Sequence, residues 1–160
     1  MTDIVYLKGD ASAPSQKGPQ IIAQVCNDLG GWGRGFVLAL SKRFPQPERE
    51  FRAWHRERAH NDFGLGAAQL VLVGRDLWVA NMIGQHGTAR RGNTGPPPVR
   101  YDAIECALRK VGDLALEHGT SVHMPRIGTG LAGGKWDKIE PLIIQTLCER
   151  DVAVWVYDFD

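Results

Sequence analysis

Two glycine-rich segments of this sequence have the composition and the position needed to bind an anion. The first covers residues 27–35 (NDLGGWGRG) and the second residues 128–134 (GTGLAGG). Each lies between an apolar, strand-like run and a run with helical spacing. A loop that leaves a strand and enters a helix presents free backbone N–H groups and the positive end of the helix dipole. Glycine lets an anion approach that backbone, so two such loops together suit a diphosphate.

Other interpretations of the two segments remain open at this stage. Tight turns between strands and helices often contain glycine whatever the function of the loop. Neither segment is a P-loop, because no Gly-Lys-Ser or Gly-Lys-Thr follows the glycines. The spacing Gly30-x-x-Gly33-x-Gly35 also differs from the GxGxxG fingerprint of dinucleotide-binding domains.

Apolar periodicity predicts six strands and four helices that position these segments. The predicted strands cover residues 4–7, 20–26, 68–73, 77–83, 121–124 and 152–157, and the predicted helices cover residues 36–44, 48–60, 100–119 and 136–150. Turn residues at 74–76 predict a hairpin between the third and fourth strands. We expect one domain over residues 1–160, an α/β sandwich around a mixed, mostly parallel sheet. The predicted loop 84–98, with its Arg90–Arg91 pair, is long enough to be functional or disordered.

The composition is that of a globular domain with no strong preference for a charged partner. Nineteen Lys and Arg residues balance 18 Asp and Glu, which predicts no non-specific attraction to nucleic acid or to anionic membranes. The three cysteines, Cys26, Cys106 and Cys148, are too few and too widely spaced for a disulfide framework, and they form no CxxC pair. No apolar run approaches a membrane span of about 20 residues. We expect a reduced, cytoplasmic monomer without a bound metal or cofactor.

Five motifs together resemble the macro domain family (Appr-1″-p processing), in particular its subgroup of terminal ADP-ribose protein glycohydrolases. They are Lys8-Gly9-Asp10, Cys26-Asn27, Gly33-x-Gly35 before a helix, the segment MPRIGTGL at 124–131 and the closing VWVY at 154–157. The resemblance extends over nearly the whole chain. It implies a three-layer α/β/α fold that binds ADP-ribose in a cleft at the strand ends.

The resemblance also implies a role for individual residues. Asp10, next to Gly9, would accept a hydrogen bond from the adenine amine, and Phe159 would cover the adenine. Asn27 would hold the distal ribose. The rest of the first segment, with the start of the next helix, would hold the ribose and one phosphate: Trp32, Gly33, Arg34, Gly35 and Phe36. The second segment would enclose the diphosphate: Ile127, Gly128, Thr129, Gly130, Leu131 and Ala132.

Two of these side chains keep alternative interpretations. Trp32 stands between glycines and is expected near the surface, either as a wall of the ribose pocket or packed on the next helix. Arg34 either contacts phosphate through its planar guanidinium or remains solvated.

The residues expected near the reacting bond depart from the pattern of the family. Ala132 stands where the family has an aspartate, and residues 81–87 contain no lysine. Hydrolysis is therefore expected to proceed without a lysine-bound intermediate, and Gln85, His86 and Asp28 are predicted to orient water. The predicted activity is removal of ADP-ribose from a protein or related adduct. The alternatives are a non-catalytic ADP-ribose reader and an ADP-ribose 1″-phosphate phosphatase.

Overall fold

The computed structural model describes residues 1–88 and 95–159, so the Arg90–Arg91 pair lies outside the described residues. The strands are β1 (Val5–Lys8), β2 (Gln20–Asn27), β3 (Ala68–Gly74), β4 (Leu77–Gln85), β5 (Ser121–Met124) and β6 (Val154–Asp158). The helices are α1 (Phe36–Arg43), α2 (Gln46–Arg56), α3 (Tyr101–His118) and α4 (Trp136–Thr146). Single 3₁₀ turns occur at Arg58–His60, Gly130–Ala132 and Cys148–Arg150.

The six strands form one sheet in the order β1-β6-β5-β2-β4-β3. Neighbouring strands are parallel except β3 and β4, which form the predicted antiparallel hairpin. Asp76 allows its tight turn with a φ of 54°. The mixed, mostly parallel sheet is thus confirmed. Because β2 pairs with β5, the loops that follow these two strands are neighbours at one edge of the sheet.

Helices cover both faces of the sheet, which confirms the three-layer architecture. On one face α3 and α4 bury Ile104, Leu108 and Ile143 against the strands. On the other face Leu40 of α1 packs on Ile22 of β2. Since both faces are covered, β2 is a nearly continuous apolar run rather than an alternating one.

Helix boundaries differ from the sequence prediction in two places. The helix predicted at 48–60 covers Gln46–Arg56 instead. It begins earlier because Pro47 fits in a first turn, where its missing N–H costs no hydrogen bond, and a separate 3₁₀ turn at Arg58–His60 replaces its predicted end. The helix predicted at 136–150 ends at Thr146, and a 3₁₀ turn that ends on left-handed Asp151 replaces its last part. None of the helices described is long and apolar enough to cross a membrane.

Candidate functional site

A cleft of three connected chambers follows the carboxyl ends of the parallel strands. The Asp10 chamber has a volume of about 640 Å³ and is lined by Gly9, Asp10, Ala11, Ser12, Gly35, Phe36, Leu38, Ala39, Lys42, Arg43, Pro125, Tyr157 and Phe159. The central chamber, of about 400 Å³, is lined by residues 127–132 and by Gln24, Val25, Arg34, Gly35, Phe36, Val37, Gln85, Pro125 and Arg126. The Trp32 chamber, of about 440 Å³, is lined by Val25, Cys26, Asn27, Gly31, Trp32, Gly33, Arg34, Val37, Gln85, Thr88 and Leu131. The central chamber shares walls with both others, so the three form one elongated site.

The Asp10 chamber combines aromatic walls with a fixed carboxylate. Asp10 Oδ1 accepts hydrogen bonds from the backbone N–H (2.9 Å) and the hydroxyl (2.6 Å) of Ser12, and its Oδ2 pairs with Arg43 Nη2 at 3.2 Å. Burial alone would raise the pKa of Asp10, but the bonds from Ser12 and Arg43 lower it overall. Phe159 is 78% exposed at the rim. A planar ring that carries an N–H group fits this combination.

Asn27 organises the first glycine segment from the end of β2. Its Oδ1 accepts the N–H groups of Leu29 and Gly31, both at 2.9 Å, and its Nδ2 donates to the Gly31 carbonyl at 2.9 Å. Asn27 lines the Trp32 chamber, as a ribose ligand would. Its amide is nevertheless engaged by the loop backbone, so in this structure Asn27 shapes the loop.

Both glycine segments line the cleft with residues whose backbone N–H groups have no partner. Among the described residues, no hydrogen bond engages the N–H groups of residues 33–36, where α1 begins, or those of Gly128, Gly130 and Leu131. A side chain added at Gly33 or Gly35 would meet no atom within 4 Å. Unpaired backbone N–H groups on both sides of one chamber are suited to bind an anion.

Two glycines of the second segment are packed against the protein itself. A Cβ on Gly128 would lie 2.8 Å from Ile139 Cδ1, and a Cβ on Gly134 would lie 2.3 Å from the Gly128 carbonyl oxygen. The Gly134 N–H donates to that same oxygen at 2.8 Å and closes the loop. The absence of a Cβ at these two glycines therefore allows close packing within the protein.

Trp32 is buried, with 4% of its surface exposed, so the expectation of a surface position was wrong. Its Nε1 donates to Ser41 Oγ at 2.7 Å, and its ring centroid lies 5.4 Å from that of Phe51. Helices α1 and α2 cover the ring, which a local sequence pattern does not reveal. Trp32 thus packs on the helices and also lines its chamber, and its contact with a ribose stays a prediction.

The structure brings Asp28, Gln85 and His86 together, but only Gln85 lines the cleft. Asp28 Oδ2 is 2.6 Å from His86 Nδ1, and its Oδ1 accepts the Gly87 N–H at 2.8 Å. Gln85 Nε2 donates to the Gly87 carbonyl at 3.0 Å. Asp28 thus joins the loop after β2 to the loop after β4, and Gln85 is placed where the central and Trp32 chambers meet.

Cys26 also lines the Trp32 chamber but has the properties of a small apolar residue. It is 3% exposed, and burial raises the pKa of its thiol. Within residues 1–88 and 95–159, no group of three or more His, Cys, Asp and Glu is placed to hold a metal ion.

All the residues predicted to bind ADP-ribose line one of the three chambers, whereas several lining residues were missed. One group of missed residues lies on a single face of α1: Leu38, Ala39, Lys42 and Arg43. Their spacing of three and four residues is the available signal, because it marks a helix face other than the one that buries Val37 and Leu40.

Comparison with known proteins gives relatives of two kinds. The mouse protein "Chromodomain-helicase-DNA-binding protein 1-like" is 30% identical over 169 residues; the match covers 99% of this chain and 18% of the mouse protein, so the chain spans less than a fifth of that relative. The "ADP-ribose 1″-phosphate phosphatase" of Lodderomyces elongisporus is 24% identical over 97% of this chain and 99% of its own length. No family model matches the chain.

Solved structures share the fold over most of the chain. A structure of Thermosipho africanus DarTG in complex with ADP-ribose matches 87% of this chain and 38% of its own, with 20% identity and a TM-score of 0.67. A macrodomain protein from Streptomyces coelicolor is 59% identical and has a TM-score of 0.86, over 98% of this chain and 99% of that one. Identity at that level over complete chains, together with the six-stranded sheet and the cleft at its strand ends, shows that the chain belongs to the macrodomain family.

Proposed function

We propose that this protein binds ADP-ribose along the three chambers and hydrolyses the bond between its distal ribose and an acceptor. The observation that carries the proposal is that both glycine segments, with their unpaired N–H groups, line the chamber in the middle of the cleft. The adenine occupies the Asp10 chamber, the diphosphate lies between the loops, and the distal ribose enters the Trp32 chamber. The order of the chambers matches the order of the groups in the ligand.

The relatives support this choice of ligand. The DarTG structure was solved with ADP-ribose, and the Lodderomyces protein is named for a phosphorylated form of the same molecule. The adenine assignment rests on Asp10, an acceptor-only carboxylate among aromatic walls.

Hydrolysis requires a water molecule at the anomeric carbon of the distal ribose. Water adds its oxygen to that carbon, the bond to the acceptor breaks, and the acceptor leaves with a proton from the water. Gln85 is suited to position this water, because Nε2 is fixed by the Gly87 carbonyl and Oε1 remains an acceptor at the junction of two chambers. Asp28 and His86 support the adjoining loop and form the nearest acid–base pair.

A calorimetric titration tests the binding half of the proposal. We expect ADP-ribose to bind at one site per chain and AMP to bind more weakly. The substitution Asp10→Ala should weaken ADP-ribose binding by about 1.5–3 kcal/mol, the range for a hydrogen bond to a charged group. Unchanged affinity in a folded Asp10→Ala variant would remove Asp10 from the adenine role.

Release of labelled ADP-ribose from a modified protein tests the catalytic half. Loss of one positioned acid–base or water-orienting group costs about 10²–10⁴-fold in rate. The turnover rates of alanine variants of Gln85, His86 and Asp28 should therefore show which of the three side chains takes part in hydrolysis. We expect borohydride to trap no lysine adduct. Wild-type protein that binds ADP-ribose without turnover on any modified acceptor would be a reader instead.

A further inference from the structure

Arg126 lies just before the second glycine segment, and its partly exposed guanidinium is paired within the protein through Nε and Nη2. Nε donates to Asp158 Oδ1 at 2.6 Å, and Nη2 donates to Asp158 Oδ2 at 3.0 Å. Its Cζ atom is 5.1 Å from the ring centroid of Tyr6 and 5.1 Å from that of Trp136. The cation is thus held on one edge by a carboxylate and contacted by two aromatic rings.

The side chains of Tyr6 and Trp136 are also hydrogen-bonded to each other. Trp136 Nε1 donates to the Tyr6 hydroxyl at 3.0 Å, and that hydroxyl donates to the carboxylate of Glu140. The rings meet edge to face with centroids 6.3 Å apart. We call this cluster of Tyr6, Arg126, Trp136, Glu140 and Asp158 the Arg126 clasp. It ties β1, β6 and α4 to the loop between β5 and α4.

The clasp fixes both ends of that loop. Arg126 precedes the loop and Trp136 follows it as the first residue of α4. Between them, the Arg126 carbonyl accepts the Thr129 hydroxyl at 2.6 Å. Gly128 and Gly130, which line the central chamber and have unpaired N–H groups, lie within the segment held in this way.

We infer that the Arg126 clasp is a positioning device that holds the second glycine segment in its anion-binding conformation. Arg126 then sets the affinity for a diphosphate ligand without touching the phosphates. This inference rests on the proposed function. An arginine at the wall of a phosphate site is more commonly a direct ligand. The engagement of its guanidinium by Asp158 and two rings favours the indirect role here.

The Asp158→Asn variant separates the two roles, because they predict opposite signs. Asparagine keeps the size of the side chain and removes the charge that compensates Arg126. A positioning role predicts that ADP-ribose binds about tenfold more weakly, since a hydrogen bond to a charged group is lost from the clasp. A direct role predicts tighter binding, since the freed cation would be available to the phosphates.

Substitution of Arg126 gives a second test. Lysine keeps the charge but has neither the planar fork nor the stacking surface of arginine. We expect Arg126→Lys and Arg126→Met to weaken ADP-ribose alike, about tenfold, and to leave adenosine affinity unchanged because adenosine has no phosphate. The matched control is Arg150→Met, which breaks the 2.5 Å pair with Asp113 but lies outside all three chambers.

The experiment is a titration of each folded variant with ADP-ribose, adenosine and pyrophosphate. Three results would overturn the positioning role. They are wild-type ADP-ribose affinity in Arg126→Lys, tighter ADP-ribose binding by Asp158→Asn, and a loss of adenosine affinity equal to the loss of ADP-ribose affinity. Wild-type protein that binds pyrophosphate but not ADP-ribose would overturn the proposed function, and the clasp would still be tested on pyrophosphate. Absence of binding to both ligands would overturn both.

Discussion

The two glycine segments face the same chamber but use their glycines for different purposes. In the first segment, the positions of Gly33 and Gly35 open onto empty space. In the second, Gly128 and Gly134 are surrounded by Ile139 and by backbone. The glycines of the first segment leave space for a ligand, and those of the second leave space for neighbouring atoms of the protein. A glycine-rich motif therefore indicates that other atoms approach the backbone closely, but it does not distinguish a ligand from the protein's own side chains.

The segments also differ in how they are held. Asn27 organises the first through three hydrogen bonds within the loop, while Trp32 and Asp28 anchor it to α1, α2 and the loop after β4. The second is closed by its own backbone and anchored at both ends by the Arg126 clasp, whose members come from distant parts of the chain. A change at Asn27 should therefore act within the first segment, whereas a change in the clasp should act on the second segment from outside it. The following predictions run from the largest expected change in the free energy of unfolding to the smallest.

Gly128→Ala should destabilise the fold strongly. The new Cβ would lie 2.8 Å from Ile139 Cδ1, and the φ of 73° is one that L residues rarely adopt. Overpacking costs about 1–3 kcal/mol and a left-handed residue about 1–2 kcal/mol, so we expect a loss of about 4 kcal/mol in urea denaturation. A variant that folds normally but fails to bind ADP-ribose would show that this glycine is reserved for the ligand, and the contrast between the segments would disappear.

Low pH should destabilise the sheet that carries both segments, because His123 is buried in it. This side chain is fully buried between Ser121 Oγ and the Tyr157 hydroxyl, and burial lowers its pKa from 6.5 to about 4. The unfolded chain binds the proton more readily, so stability is complete above pH 6.5 and falls as the pH drops towards 4. The loss is about 3 kcal/mol.

Urea denaturation between pH 7 and pH 4 measures this loss. His123→Gln, which cannot titrate, is the control and should show a flatter profile over the same range. Parallel profiles for the two proteins would mean that His123 is not the group responsible.

Asn27→Ala should cost about 2 kcal/mol, because three hydrogen bonds of about 0.5–1.5 kcal/mol each are lost from a nearly buried site. Asn27→Asp keeps the two bonds accepted by Oδ1 and should cost less. Denaturation of both variants, with ADP-ribose titration of each, shows whether loop order and binding are lost together. If Asn27→Ala lost binding at full stability, Asn27 would be a direct ligand.

Gly33→Val should leave stability within about 0.5 kcal/mol of wild type, since its side chain meets no protein atom. The same side chain would block approach to the N–H groups of residues 33–36, so ADP-ribose affinity should fall at least about tenfold. Gly64→Val is the matched control, because Gly64 is equally free of neighbours and lines none of the three chambers. Unchanged affinity for Gly33→Val would favour the tight-turn interpretation of the first segment.

The arrangement of the site was predictable to the extent that it follows from order along the chain. Glycines between a strand and a helix predict a loop at the strand ends, and the structure places both such loops at one edge of the sheet. What could not be predicted depends on partners distant in sequence. Trp32 is buried by two helices that follow it, and Arg126 is engaged by Tyr6 and Asp158 at opposite ends of the chain.

The face of α1 that lines the Asp10 chamber also could not be predicted from the sequence. Apolar periodicity predicts the helix that buries Val37 and Leu40 but carries no information about its other faces. An exposed helix face and a ligand-facing one have the same pattern in a sequence, since a binding cleft is itself solvent-filled before the ligand enters.

The pairing of β2 with β5 has a consequence for folding kinetics. Gln20 pairs with Ser121, so the two halves of the anion site meet only after a very long loop has closed. Contacts of such high sequence separation form slowly, because the entropy of loop closure is lost before the contact is gained. In a refolding experiment, helical circular dichroism should therefore recover before the capacity to bind ADP-ribose. Added ligand should slow unfolding more than it accelerates folding, because the intact site exists only on the native side of that step.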